Sequence, residues 1–138
     1  MADEKMFCFQ CEQTAGCKAC TGNAGVCGKP FDVALAQDEL TGALIGLART
    51  CRVAGTRSEA ADELTVDGLF TCVTNVDFDI EAVNAITERV RAERDRLAAE
   101  RGVRPAVDLQ MGGLWSADED VRSLKSLVLF GIRGMAAY

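Results

Sequence analysis

The chain has 138 residues, 49% hydrophobic and 26% charged, with a formal net charge of −6. That is the size and balance of one globular domain with room for a core. The acidic charge argues against a nucleic-acid role, which needs a basic face, and no apolar run approaches the ~20 residues of a membrane span. The start, MADEKMF, has acidic residues and no apolar h-region, so no secretory signal is read. A reducing cytoplasmic setting is therefore expected, in which thiolate–metal chemistry outranks disulfides.

After a short polar extension, residues 7–29 read FCFQCEQTAGCKACTGNAGVCGK and hold five of the seven cysteines. The pattern is Cys8-x2-Cys11, then Cys20, then Cys27 followed by Gly28 and Pro30, with Cys17 between. Gly16, Gly22, Gly25 and Gly28 let backbone wrap a compact object and turn N–H groups toward it. Nothing here is periodic, so its order is expected to come from what it binds.

From Phe31 the pattern becomes helical. Pro30 and Asp32 are suitable start residues, and Ala36, Leu40, Ala43, Leu44, Leu47, Ala48 and Cys51 fall on one face. Gly42 and Gly46 cost about 1 kcal/mol each in a helix interior, so a close approach by another helix or by the cysteine loop is expected there. Gly55 to Ser58 ends this helix. A second helix is expected over 59–75, with Leu64, Leu69, Phe70 and Val73 inward. A third, capped by Asp77, carries the stripe Ile80, Val83, Ile86, Val90 and Leu97. Its opposite face bears Arg89 with Glu93, Arg91 with Asp95 and Arg96 with Glu100, expected to be a solvated face worth a few tenths of a kcal/mol per pair.

Residues 102–115, with Pro105 and Gly112-Gly113, read as a connector without regular structure. Ser116-x-x-Glu119 is a capping-box pattern opening a fourth helix, with Val121, Leu124, Leu127, Val128, Gly131 and Met135 on one side. The chain ends on LFGIRGMAAY without a C-cap or polar tail, and is expected to be cut rather than finished. The organisation expected is an all-α helical bundle of about four helices with an N-terminal Cys-rich iron–sulfur loop. Its parts are a cluster-binding loop at 1–30, a three-helix bundle at 31–101, a connector at 102–115, and at 116–138 the first helix of a second helical unit. A shift of 88 residues lays Leu44-Ile45-Gly46-Leu47-Ala48 over Ile132-Arg133-Gly134-Met135-Ala136. A duplicated unit would explain this, and so would two unrelated amphipathic helices with tight crossings.

Four thiolates hold either an iron–sulfur cluster or Zn²⁺, and both favour Cys-x2-Cys. Paired zinc knuckles are usually a dozen or more residues apart. Here only five residues separate Cys11 from Cys17, which leaves no room for a hairpin or helix between knuckles. An iron–sulfur cluster fits better, with zinc, disulfides or unligated thiols as alternatives. Cys51 and Cys72 lie on apolar helical faces and read as small core filler. Trp115 and Phe70 read as core or loop anchors rather than electron relays. Glu12 and Asp38 could tune a cluster's potential, against a default of solvent-exposed carboxylates. There is no phosphate-binding glycine loop and no Ser-His-Asp set.

The run Met6-Phe7-Cys8-Phe9-Gln10-Cys11-Glu12-Gln13-Thr14-Ala15, with Cys20 and Gly25-Val26-Cys27-Gly28-Lys29, closely resembles the N-terminus of the hybrid-cluster proteins, also called prismane proteins or hydroxylamine reductases. The resemblance continues through Gln37-Asp38, Gly46-Leu47-Ala48, Gly68-Leu69-Phe70 with Thr74-Asn75, Glu119-Asp120-Val121-Arg122-Ser123-Leu124, and Gly134-Met135-Ala136-Ala137-Tyr138. It implies that Cys8, Cys11, Cys20 and Cys27 ligate a [4Fe–4S] cluster or, alternatively, a [2Fe–2S] cluster. Six residues separate Cys20 from Cys27, one more than in many four-iron members, which leaves both types open. Cys17 falls where relatives carry a non-ligand. The resemblance also implies an external electron donor protein and later domains with a hybrid Fe–S–O site that reduces hydroxylamine or nitric oxide. That site uses histidine, and this chain has none. The chain alone is therefore expected to transfer electrons but not to turn over. A structural zinc-binding interaction module is the alternative.

Overall fold

The computed structural model describes residues 6–8, 11, 16, 18–73 and 76–138. Its architecture is all-α apart from one two-stranded ladder: β1 (Phe7–Cys8), β2 (Cys20–Thr21), α1 (Phe31–Ala54), α2 (Glu59–Thr71), α3 (Ile80–Arg101), α4 (Met111–Trp115) and α5 (Glu119–Ala136). The helix ends follow local chemistry. Pro30 precedes α1 in extended backbone, and Gly55 closes it at φ 62°, a left-handed turn that a side chain disfavours. Ser58 Oγ accepts the Ala61 N–H to start α2, and Gly102 closes α3 at φ 63°. The cap of α3 is Asp79, which accepts from Glu81 and Ala82, rather than the expected Asp77.

One core joins the first three helices: Leu40, Ala43, Leu44 and Leu47 from α1, Ala61 and Leu64 from α2, and Val83, Val90 and Leu97 from α3, with Cys72 among them. Most of the inward stripes expected of α1 and α3 are these residues; Cys51, Ile80 and Ile86 are partly buried against them, and Ala48 is exposed. Phe70 does not join them; it sits on the outer side of α2 and is exposed.

The close approach at Gly42 and Gly46 is real, but the neighbour is the segment after α3. A Cβ on Gly42 would overlap the Leu109 carbonyl oxygen, and one on Gly46 would meet Asp108 Oδ1 at 3.1 Å. Leu109 N–H donates to the Gly42 carbonyl at 3.1 Å, and Ala106 N–H donates to Thr50 Oγ1 at 2.9 Å. The connector thus lies along the glycine face of α1. Asp108 fixes it from the other side, accepting from Arg91 Nε at 2.8 Å and from Arg94. The charged face of α3 is therefore partly a clamp. Of the expected i,i+4 pairs, Arg96–Glu100 forms at 2.9 Å, while Arg91 turns to Glu88 and Asp108. Glu93 is buried between Arg96 and Ser58 Oγ.

Three readings of the last third are corrected. The connector contains α4, held because Trp115 is buried with Met111 and Leu129. Ser116 donates to the Gly112 carbonyl at the end of α4, and Asp118 caps α5 instead. The stripe of α5 does not face inward: Leu124 is 64% exposed, Leu127 67% and Met135 77%. The buried side carries Ser126, Leu129 and Arg133, and Arg133 NH2 donates to Thr41 Oγ1 at 2.7 Å. Gly46 and Gly134 also differ in setting, since a Cβ on Gly134 would meet nothing within 4 Å. No helix among the described residues is long and apolar enough to cross a membrane.

Candidate metal centre

β1 and β2 run antiparallel, with Phe7 opposite Thr21 and Cys8 opposite Cys20. Residues directly opposite in such a ladder project to the same face, so the pairing sets these two cysteines side by side. From β2 the chain enters a closed turn. Gly25 N–H donates to the Lys29 carbonyl at 2.8 Å, Gly28 N–H to the Gly25 carbonyl at 2.9 Å, and Phe31 N–H to the Asn23 carbonyl at 3.0 Å. Gly28, at φ 88°, makes the reversal possible.

This turn carries Cys27 back to Cys20. A Cβ on Gly25 would stand 3.4 Å from Cys27 Sγ and 3.8 Å from Cys20 Sγ, so both sulfurs border the space that glycine leaves open. Val26 N–H points at Cys20 Sγ, 3.5 Å away, a contact that favours sulfur in its thiolate form. Cys20 is buried; Cys8, Cys11 and Cys27 are half-buried. The ladder and the turn thus bring Cys8, Cys20 and Cys27 to one end of the bundle. Cys11 lies three residues past β1. Cys17 and Glu12 fall outside the described residues.

Among the described residues, no three His, Cys, Asp or Glu side chains gather around a point that would hold a single ion. A cluster would ask for a different arrangement, because its four thiolates would be distributed over two or more irons rather than gathered on one ion. The donor set, four thiolates on a glycine-bearing loop with a backbone N–H on one sulfur, fits an iron–sulfur group.

Cys51 and Cys72 stand apart from this loop. Burial pushes both thiols above the ordinary value, and for Cys72 the positive charge of Arg133 works in the opposite direction. Cys72 is packed in the main core, and Cys51 is half-buried at its margin. Both behave as filler, with protons retained.

Three polar side chains under the loop were not anticipated as functional. Lys29 is buried, with 4% of its surface exposed, and its ammonium donates to Gln37 Oε1. Gln37 in turn donates through Nε2 to the Thr71 carbonyl at 3.1 Å and the Asp77 carbonyl at 3.0 Å. Arg133 reaches the same region through Thr41, whose hydroxyl donates to the Gln37 carbonyl. The only sequence signal was a lysine placed directly between Cys27-Gly28 and the helix-starting Pro30.

Asp38 is likewise not the exposed carboxylate expected. It is partly buried and accepts from Trp115 Nε1 at 2.7 Å. Burial pushes its carboxyl up to about 6, against the Trp115 hydrogen bond and the nearby charges of Arg133 and Lys29, which favour ionisation. Trp115 leans on Phe7, ring centroids 5.5 Å apart, and the Arg122 guanidinium lies 5.2 Å from the Phe7 ring centre. The residue before Cys8 is thereby clamped between α4 and α5. A cleft of about 560 Å³ opens here, lined by Met6, Phe7, Asp38, Arg91, Asp108 and Trp115 among others.

Comparison with known proteins agrees with this architecture. A family model described as the Prismane/CO dehydrogenase family matches residues 6–138. The chain is 35% identical to a hydroxylamine reductase of Clostridium perfringens, with 96% of this chain and 29% of the relative aligned. It is 38% identical to one of Methanocella arvoryzae, over 96% of this chain and 30% of the relative. It is 37% identical to one of Porphyromonas gingivalis, over 99% and 29%. The chain therefore spans less than a third of the length of these relatives.

Proposed function

We propose, from the premise that this chain belongs to the Prismane/CO dehydrogenase family, that it is the electron-entry portion of a hydroxylamine reductase-like protein. In this reading Cys8, Cys11, Cys20 and Cys27 hold an iron–sulfur cluster, [4Fe–4S] or alternatively [2Fe–2S], and Cys17 is a bystander. The cluster supplies a one-electron carrier. The chain's own residues fix the thiolates, exclude water from Cys20 and seat the loop on the bundle. An external donor protein in the cytoplasm supplies the electron, and further domains of a longer polypeptide use it to reduce hydroxylamine or nitric oxide. Without histidine, this chain has no means of building the reducing site itself.

The observation that carries the proposal is the position of Cys20, opposite Cys8 across the ladder and beside Cys27 across the gap at Gly25. A relay also needs somewhere to deliver its electron. The outward apolar face of α5, with Leu124, Leu127, Val128 and Met135, is the surface on which the further domains would pack.

The test is anaerobic preparation with iron and acid-labile sulfide analysis and EPR of the reduced protein. A brown protein with a reducible S = 1/2 signal supports the proposal. A colourless protein with stoichiometric zinc overturns it in favour of a structural zinc module.

A further inference from the structure

Asp38 stands four residues past Ala34 on α1, and residues four apart share a face of a helix. Ala34 is packed with Cys20 and Met6, and Cys8 lies against the same group. One helical turn rises about 5.4 Å, which sets the Asp38 carboxyl roughly 10 Å from those sulfurs. A second link joins them: Trp115, which donates to Asp38 Oδ2, leans on Phe7, the residue before Cys8.

The carboxyl is partly buried, yet protons can reach it. It lines the cleft of about 560 Å³, whose wall includes Glu39, a side chain 67% exposed. Burial disfavours its charge, while Trp115 of α4, Arg133 of α5 and Lys29 of the loop favour it. Arg91 of α3 and Asp108 of the connector also line the cleft, and they are engaged with each other at 2.8 Å. The balance holds Asp38 at about 6, where a modest change of nearby charge alters how much of it is ionised.

A reduced iron–sulfur group carries one negative charge more than the oxidised one, and a nearby carboxylate then becomes more costly to keep ionised. We infer that Asp38 takes up a proton when the cluster is reduced, so that electron entry is coupled to protonation. The electron comes from the external donor and the proton from solvent through the cleft. The bond formed is O–H on Asp38, and no group leaves. Asp38 is not a ligand in this scheme and acts through space. The inference rests on the ligand assignment proposed above.

Two unit charges about 10 Å apart, at an effective dielectric of about 20, shift each other's equilibrium by roughly tenfold. The experiment is a spectroelectrochemical titration of the iron-loaded chain between about pH 5 and pH 8.5. As pH rises, the oxidised-to-reduced ratio at a fixed potential is expected to grow by roughly tenfold, about 59 mV for a one-electron couple. The acid limb should be level, because there Asp38 holds its proton in both states. Asp38→Asn is expected to abolish the slope and to match the parent's acid limb. Trp115→Phe changes no charge; it deletes a hydrogen bond that favours the carboxylate, so the sloping region should move to higher pH. A pH indicator in weak buffer should record uptake of about half a proton per electron at the middle of the slope, and none in Asp38→Asn. An iron-loaded parent with a level potential, or an Asp38→Asn variant that keeps the slope, overturns the inference and leaves the ligand assignment standing. A parent chain without iron overturns both. Should Asp38→Asn fail to retain iron, Trp115→Phe decides: a displaced slope supports the inference, and an unmoved one overturns it.

Discussion

Trp115 donates its indole N–H to Asp38 Oδ2 at 2.7 Å, joining α4 to α1 across 77 positions of sequence. Trp115 is the only tryptophan, so its emission reports on that bond. In the metal-free protein, fluorescence is expected to titrate with a midpoint near the Asp38 value of about 6. Asp38→Asn, which keeps the acceptor oxygen, should flatten the curve.

The same carboxyl ties stability to pH. Its folded value lies above the unfolded 3.8, so its contribution is fully present below 3.8 and is lost as pH rises through about 6. The loss is on the order of 3 kcal/mol. Urea unfolding of the metal-free chain at about pH 4 and pH 7 should show a smaller difference for Asp38→Asn than for the parent.

Gly42→Ala should be far more damaging than Gly46→Ala. The first places a methyl in the Leu109 carbonyl, which is backbone tied to the same residue by a hydrogen bond; the second meets the tip of the Asp108 side chain. Overpacking against backbone costs about 2–3 kcal/mol, and about 1 kcal/mol or less where a side chain yields. Thermal unfolding of the two variants should rank them in that order.

Asp108→Asn removes the charge that Arg91 and Arg94 share. Asp108 and Arg94 are largely shielded, 16% and 14% exposed, and Arg91 is 32% exposed. A loss of about 1–3 kcal/mol is expected. Arg57→Gln, which breaks an exposed pair with Asp62, should cost under about 1 kcal/mol in the same denaturation assay.

The open face of α5 makes a prediction about association. At raised concentration the isolated chain should self-associate through Leu124, Leu127, Val128 and Met135. Leu124→Lys with Leu127→Lys should return it to a single monomer species in sedimentation velocity, with unchanged helicity.

Helix positions were legible where their causes are local. Pro30, Gly55, Ser58 and Gly102 act within a turn of where they stand, so the limits of α1 and the start of α2 follow from the string. The cysteine loop was conspicuous because cysteines clustered at short spacing are themselves a chemical signal, and the fold sets Cys8 opposite Cys20 with Cys27 beside it. What could not be read depends on partners far away. The face that α5 buries is set by Arg133 reaching Thr41, 92 positions earlier, and that overrides the apolar stripe a helical wheel would turn inward. α4 carries Gly112-Gly113, which lowers helix propensity, and forms because Trp115 has Asp38 and Phe7 to hold it. Lys29 and Gln37 look like ordinary loop and helix residues until the fold brings them together.

The three bonds of the Gln37 amide span very different distances along the chain: 8 positions to Lys29, 34 to Thr71 and 40 to Asp77. Its nitrogen is oriented only when the end of α2 and the segment before α3 have arrived, and until then its oxygen has no fixed direction. The local bond to Lys29 must therefore wait for the distant ones. One amide thus ties the end of the cysteine loop to the end of α2 and to the segment before α3, so the seat of the loop is built by residues far from it in sequence.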